Sequence, residues 1–227
     1  MIRILDGCKT LKKQAVLKNV CIEVEKGSVC GIVGNNGSGK TVLFKCILGL
    51  YQFDNGTLWI DGKEHTKSDG ILKNASAVIE TPAFLEGHTG LQNLKYLYEL
   101  DHKSDKKHLE NVMKQVGLDP KLKKKVRNYS LGMKQRLSIA QVLMDDKELI
   151  ILDEPMNGLD KHGVLDVRRI ILELKERGKT ILVASHNPLD IEMLCDKVYE
   201  MEAGEARLIF ENGESTEESG ISVDGSF

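Results

Sequence analysis

The chain lacks any apolar segment long enough to cross a membrane. Apolar runs such as residues 149–152 contain four residues, whereas a membrane-spanning helix needs ~20. The first ten residues also lack the apolar core of a secretory signal. These absences predict a soluble protein that stays in the cytosol.

Cysteine is sparse, and the spacing of the cysteines matches no disulfide or metal-binding motif. The five cysteines are odd in number and form no C-x-x-C pair, and a metal site would need clustered ligands. We therefore expect them to be small apolar core residues in a reducing compartment. They are Cys8, Cys21, Cys30, Cys46 and Cys195.

An excess of basic charge, typical of proteins that bind nucleic acid, is also absent. The formal net charge of the 227 residues is −2. The basic run at residues 121–127 could indicate contact with nucleic acid or anionic lipid, but such runs are more often solvated helix ends or loops. We expect no nucleic-acid partner.

Strands alternate with helices along much of the chain, which favours a mostly parallel sheet with right-handed crossovers. Strands are predicted at residues 2–5, 20–24, 29–33, 56–62, 75–79, 149–153, 180–185 and 197–210, the last being a hairpin that turns at 203–204. Helices are predicted at residues 40–49, 163–178 and 188–195. The runs at 29–33 and 75–79 are expected to be buried strands, and Gly49 is expected to cap the first helix.

A change of pattern marks residues 87–146. Leucines recur there at helical spacing, and lysine-rich segments connect helices rather than strands, so we predict an α-helical insertion. The insertion would lie within one domain covering residues 1–210. Residues 211–227 contain five acids and no base, and we predict a mobile tail without a chemical role.

A phosphate-binding loop is predicted at residues 34–41, GNNGSGKT, which match G-x-x-x-x-G-K-[ST] between a strand and a helix. Glycines let backbone N–H groups converge on phosphate oxygens, and the helix N-terminus adds a positive dipole. Lys40 would reach the β- and γ-phosphates, and the Thr41 hydroxyl would ligate Mg²⁺. The residues predicted to hold the nucleotide here are Gly34, Asn35, Asn36, Gly37, Ser38, Gly39, Lys40, Thr41 and Val42.

Two adjacent carboxylates follow a second apolar strand. Residues 149–152 lead directly to Asp153, which we expect to hold Mg²⁺ on a strand neighbouring the loop, and then to Glu154. Glu154 would polarise an attacking water. A capped surface turn is the alternative, but the preceding strand is too apolar for the surface.

Other phosphate-loop enzymes fit less well. A GTPase would carry N-K-x-D to read guanine, whereas residues 187–190 are NPLD, with proline in place of the lysine. A small-molecule kinase would have an arginine-rich lid, yet the segment 87–146 contains only Arg127 and Arg136. The loop alone identifies a nucleotide and not a function.

The stretch YSLGMKQR at residues 129–136 resembles the signature of ABC-transporter nucleotide-binding domains, written LSGGQ-x-QR. Residues 157–160, NGLD, resemble the family's D-loop, and His186 in SHNPLD matches its switch histidine. The resemblance covers residues 1–210. It implies an α/β phosphate-loop ATPase fold of the ABC type, with a mostly parallel core sheet, an antiparallel β subdomain and an α-helical subdomain.

The resemblance also implies roles for residues outside the loop. Ser130 and Gly132 would contact the γ-phosphate held by a second subunit, with Asp160 in the D-loop nearby. Leu131 and Met133 replace residues whose side chains matter less, so the signature would be a working variant, although a site that binds but turns over poorly stays open. His186 would be catalytic together with Glu154.

Two positions depart from the family pattern. Glu80 stands where the family has the Q-loop glutamine, and it would keep an oxygen ligand for Mg²⁺ and contact the membrane partner, unless it is only a solvated glutamate at a strand end. Leu11 lies where an adenine-stacking aromatic is expected, and it would cover the ring through apolar contact without a π-face. Val16 would line the same pocket.

The implied function is an ATP-hydrolysing subunit, with ATP and Mg²⁺, that drives a membrane permease encoded by separate chains. Two ATPase subunits, identical or different, would sandwich ATP on the cytoplasmic face of the cell membrane. The combination of motifs resembles the branch for bacitracin resistance and lantibiotic immunity, which implies peptide export. The alternative is a soluble or regulatory ABC-type ATPase of a non-transport complex.

Overall fold

The computed structural model describes residues 2–80 and 83–212. Its strands are β1 Ile2–Leu11, β2 Gln14–Val24, β3 Val29–Val33, β4 Asn55–Ile60, β5 Lys63–Glu64, β6 Ala75–Val78, β7 Leu149–Asp153, β8 Thr180–Ala184, β9 Lys197–Glu202 and β10 Glu205–Glu211. Its α-helices are α1 Lys40–Ile47, α2 Gly90–Tyr98, α3 Lys106–Gln115, α4 Leu131–Met144, α5 Lys161–Glu176 and α6 Pro188–Leu194. The predicted tail lies outside the described residues from 213 onward, and its first residue, Glu211, ends β10.

The central sheet has six strands in the order β10-β9-β3-β8-β7-β6. Strands β9, β3, β8, β7 and β6 are mutually parallel, and β10 returns antiparallel to β9 as the predicted hairpin. The hairpin turns at Ala203 and Gly204, both of which have positive φ angles. A mostly parallel sheet needs helices on its faces, because parallel strands are connected by crossovers. The α/β fold class predicted from the sequence is confirmed.

A second sheet is entirely antiparallel, in the order β2-β1-β4-β5. The first two strands are connected by a tight turn at Lys12 and Lys13, which both adopt left-handed backbone angles. They run for ten and eleven residues and are therefore much longer than the short strands predicted from the sequence.

The core divides into two layers because residues of each central strand alternate between its faces. Leu149 and Ile151 of β7 face the antiparallel sheet and α1, whereas Ile150 and Leu152 face the layer of the other helices. Helix α1 is thereby enclosed, with Phe44 fully buried. This double burial explains the continuous apolar runs of the central strands.

Helices α2, α3 and α4 pack against one another in the segment that the leucine spacing predicted to be helical. Thr89 caps α2 and forms a capping box with Gln92. The Tyr129 hydroxyl accepts a hydrogen bond from the Gly90 N–H at 3.3 Å. Within residues 2–80 and 83–212, no helix is both long and apolar enough to cross a bilayer.

Two sequence-based expectations are wrong in part. Strand β6 lies at the edge of the sheet, with β7 as its neighbour on one side only. Val78 is the one residue of β6 that is buried. Cys21 is exposed and Cys8 is half-buried, since both lie on the outer antiparallel sheet. The three cysteines that belong to the core are Cys30, Cys46 and Cys195. Burial raises the pKa of the thiols of Cys46 and Cys195 to about 12, which keeps these two uncharged.

Gly49 is expected to be essential for the packing of α1, and Gly178 provides a matched control. Both glycines follow a helix end in the left-handed conformation, with φ of 74° and 78°. A Cβ at position 49 would lie 2.2 Å from the Gly70 carbonyl oxygen, whereas nothing lies within 4 Å of one at 178. Gly178→Ala should cost about 1–2 kcal/mol of unfolding free energy. Gly49→Ala should cost about 1–3 kcal/mol more through overpacking. Equal losses in urea unfolding would contradict this assignment.

Candidate active site

The glycine-rich loop connects the carboxyl end of β3 to the N-terminus of α1. Gly34, Gly37 and Gly39 all have positive φ angles, which non-glycine residues rarely adopt. A Cβ at Gly34 would lie 2.2 Å from the Met201 carbonyl oxygen, so no larger residue fits there. The loop is thus held open as a concave turn of backbone in front of a helix N-terminus, where N–H groups and the helix dipole favour an anion.

Two side chains of the loop are buried although they are polar. Lys40 is 6% exposed, and its ammonium donates to the carbonyl oxygens of Gly34 at 2.5 Å and Asn35 at 3.2 Å. The Ser38 hydroxyl is buried and has no hydrogen-bond partner among the described residues. Buried polar groups are nearly always paired, so an orphaned hydroxyl beside a lysine fits a bound phosphate. These groups are suited to the nucleotide predicted from the sequence.

Thr41 and Asp153 are the residues predicted to hold Mg²⁺, and they meet in the structure. The Thr41 hydroxyl donates to Asp153 Oδ2 at 2.7 Å. Asp153 ends β7, which is separated from β3 by β8 and is not the neighbouring strand expected from the sequence. Thr41 nevertheless reaches Asp153 across the distance between β3 and β7, because it extends from the first turn of α1. Oxygen ligands of this kind suit Mg²⁺.

Glu154 and His186 form a second pair beside the first. Glu154 follows Asp153 with a left-handed φ of 52°, and its N–H donates to the Ala184 carbonyl oxygen at 3.0 Å. Its Oε2 lies 2.9 Å from His186 Nδ1. The Glu154 side chain is 20% exposed and that of His186 68%. The loops after β7 and β8 therefore bring the two predicted catalytic groups into contact.

A cavity of about 460 Å³ lies at this edge of the sheet. Of the residues predicted to be functional, those lining it are Val16, Asn36, Gly37, Ser38, Gly39, Lys40, Thr41, Val42, Glu80, Asp153 and Glu154. The predicted residues outside its lining are Leu11, Gly34, Asn35, Ser130, Gly132, Asp160 and His186. Leu11 instead ends β1, where it pairs with Gln14. The cavity thus combines the loop, the carboxylates and Val16.

Glu80 reaches the cavity from the residues after β6. It has a left-handed φ of 59°, and its side chain forms an ion pair of 2.7 Å with Lys45 of α1. The hydrogen bond to the Glu80 carboxylate raises the pKa of Lys45, although burial works against it. The Glu80 side chain is largely exposed, so the pair adds little to stability. Its effect is to hold a carboxylate at the rim of the cavity.

The signature stretch lies at the start of α4, and Ser130 and Gly132 in it do not line the cavity of their own chain. Ser130 caps α4, its hydroxyl accepting the Met133 N–H at 3.2 Å. A Cβ at Gly132 would lie 3.0 Å from the Gly158 carbonyl oxygen. Asp160 caps α5 by accepting the Gly163 N–H at 2.7 Å. The signature and the NGLD segment are therefore packed directly together.

Several residues lining the cavity were missed by the sequence reasoning, namely Leu131, Lys134, Gln135 and Asn157. Gln135 is buried, and its amide donates to the carbonyl oxygens of Pro155 at 3.0 Å and Glu154 at 3.5 Å. A glutamine at this position of the signature helix could have been predicted to be a buried hydrogen-bond donor. Its partners, however, are backbone atoms and leave no trace in the sequence.

The fold and the site together define a phosphate-loop nucleotide-binding protein. Its sequence matches the profile "ABC transporter" over residues 17–157. The ABC transporter ATP-binding protein YdbJ of Bacillus subtilis (strain 168), itself uncharacterized, is 39% identical over 88% of this chain. The chain belongs to the ABC transporter family.

Other similar proteins are more specific in name. The bacitracin transport ATP-binding protein BcrA of Bacillus licheniformis is 38% identical over 87% of this chain, and the lantibiotic transport ATP-binding protein SrtF of Streptococcus pyogenes is 35% identical over 86%. The chain spans 65% of the length of YdbJ and of BcrA, and 84% of SrtF. A dimeric ATP-binding cassette solved with ADP and phosphate has a TM-score of 0.85 at 22% identity, covering 94% of this chain and 100% of its own. This last likeness confirms the fold.

Gln135 is expected to stabilise the loop that carries Glu154. Gln135→Leu keeps the apolar contacts but leaves the buried carbonyl oxygens without their donor, which should cost about 1–3 kcal/mol of unfolding free energy. Gln141→Leu on the same helix is the control, because the Gln141 side chain is only half-buried. Chemical denaturation of both variants would test this, and a similar midpoint for the two would contradict it.

Proposed function

We propose that this chain hydrolyses ATP to drive a membrane permease formed by separate chains. The observation that carries the proposal is the convergence of Lys40, Thr41, Asp153, Glu154 and His186 around one edge of the sheet. Each group has the chemistry that its predicted role requires. The orphaned Ser38 hydroxyl supports a phosphate ligand in the same place.

The phosphate loop and the Thr41–Asp153 pair would bind and orient the substrate. Lys40 would exchange its contacts with the loop carbonyl oxygens for the β- and γ-phosphates. Thr41 and Asp153 would hold Mg²⁺, with Glu80 as a further oxygen ligand at the rim. Bound there, the metal neutralises charge on the phosphates. Val16 would cover the adenine from the side of the antiparallel sheet, with Leu11 nearby.

Glu154 would act as the general base. Its carboxylate lies at the cavity wall and is held on one oxygen by His186, which leaves the other oxygen to accept a proton from water. A left-handed backbone at this residue turns the side chain away from the strand direction of β7. His186 would keep the carboxylate in its position and would contact the γ-phosphate.

Two copies of this chain, or this chain and a different ATPase subunit, would sandwich the nucleotide. Ser130 and Gly132 do not line their own chain's cavity, which supports a role across a dimer interface. Ser130 is exposed and stands at a helix N-terminus, so it can approach a partner's γ-phosphate. Asp160 would lie in the same interface.

The permease and its cargo are inferred from the relatives. BcrA and SrtF are named for transport of bacitracin and of a lantibiotic, so we propose export of an antimicrobial peptide or related compound. The ATPase domain would comprise residues 1–210, and its helical subdomain, residues 87–146, would dock with Glu80 on the permease at the cytoplasmic face of the membrane.

Replacing the general base should stop turnover without preventing nucleotide binding. Glu154→Gln should lower kcat by roughly 10²–10⁴-fold, because the amide cannot accept the proton of the attacking water. It should also trap an ATP-bound dimer, which size-exclusion chromatography with Mg-ATP would detect alongside phosphate release.

Glu148→Gln is the control for this prediction. Glu148 precedes the opposite end of β7, where its half-exposed carboxylate pairs with Lys179. Glu148→Gln should leave turnover unchanged. Hydrolysis by Glu154→Gln at the wild-type rate would show that another group is the base.

Co-purification should identify the permease directly. The tagged chain, recovered from detergent-solubilised membranes of its own host, should carry a multi-span membrane protein at near-stoichiometric yield in mass spectrometry. The Glu154→Gln variant with Mg-ATP should retain that protein as well. Recovery of soluble proteins alone in both experiments would favour the soluble or regulatory ATPase over the transporter subunit.

A further inference from the structure

His186 owes little of its position to burial. It follows β8 and precedes α6, and its side chain is 68% exposed. Its hydrogen bond to Glu154 joins two groups that both stand on loops. A loose histidine would sample many geometries relative to the carboxylate, so something else must fix the backbone of this loop.

The residues on either side of His186 are tied to one buried carboxylate. Asp190 is 1% exposed, and its Oδ2 accepts the Ser185 hydroxyl at 2.8 Å. The Ser185 oxygen in turn accepts the Asn187 N–H at 3.1 Å. A single chain of hydrogen bonds therefore spans the loop from before the histidine to after it.

The other oxygen of this carboxylate is held from α5. Asp190 Oδ1 accepts hydrogen bonds from Arg168 Nε at 2.8 Å and from Arg168 Nη2 at 2.5 Å. The Arg168 side chain is 12% exposed, so the ion pair lies almost wholly out of water. Charge-assisted bonds in such surroundings are strong and directional. The carboxylate thus has donors on both of its oxygens.

We infer that Arg168, Asp190 and Ser185 form a clamp that positions His186 against Glu154. None of the three lines the nucleotide cavity, so they act through His186 as positioning residues. The inference rests on the proposed function, since it assigns the clamp to ATP hydrolysis. Its consequence is specific: loosening the clamp should slow the chemical step and leave nucleotide affinity intact.

A purely structural ion pair is the competing explanation, and kinetics separates the two. Ser185→Ala removes only a hydroxyl and tests the clamp without breaking the buried ion pair. It should lower kcat for ATP by roughly tenfold to a hundredfold, because misplacement by about 1 Å can cost on the order of a hundredfold. The KM for ATP should stay within about twofold of wild type, since the phosphate loop is not touched. Asp190→Asn should show the same split wherever the variant folds.

The matched control is Arg169→Met on the same helix. Arg169 is the next residue to Arg168, but its side chain is 63% exposed and its ion pairs with Asp166 and Glu173 are 3.8–3.9 Å long. Arg169→Met should leave kcat and KM unchanged. Circular dichroism and binding of a fluorescent ATP analogue would establish that each variant is folded.

A double-mutant cycle gives the decisive result. If the clamp acts through the histidine, Ser185→Ala should lower kcat in the wild type but not in the His186→Ala variant. Losses that multiply in the double variant, or a wild-type kcat for Ser185→Ala, would overturn the inference. So would full turnover by His186→Ala alone. Absence of hydrolysis by the wild-type chain would instead count against the proposed function.

Discussion

The parallel pairing of β3, β8 and β7 is the constraint on which the site depends. Because these strands run in one direction, all their carboxyl ends meet at one edge of the sheet. The phosphate loop, the two carboxylates and the histidine loop begin at that edge, although the phosphate loop is more than a hundred residues away from the others in sequence. A shift in register between any two strands would displace these groups relative to one another by a residue or more.

Two of the non-glycine residues with a left-handed backbone lie at this edge. Glu80 and Glu154 both adopt left-handed angles, which cost on the order of 1–3 kcal/mol for residues other than glycine. The hydrogen bonds on the Glu154 N–H and carbonyl oxygen compensate the cost at that residue, whereas the pair with Lys45 fixes the direction of the Glu80 side chain. Such angles persist only where the surroundings determine them. They let a side chain at a strand end turn into the cavity.

The sequence predicted most of the fold because apolar runs and glycine turns are local signals. Strands β3, β7 and the β9–β10 hairpin lie where they were expected, and so does the helix after the phosphate loop. The exposure of Cys21 and the edge position of β6 were missed because they depend on which strands become neighbours. Gln135 and the Arg168–Asp190 pair were missed for a related reason. Their partners are distant or are backbone atoms, and no spacing rule encodes them.

Helix α5 joins two parts of the site that the sequence presents as separate motifs. It begins at its cap Asp160, directly after the segment that packs on the signature helix, and two turns later it presents Arg168 to the loop of His186. Arg136 of the signature helix reaches the same α5 through Asp166. Helix α5 therefore contacts both the signature helix and the buried carboxylate beside the histidine loop, so one element fixes the relative position of these two parts of the site.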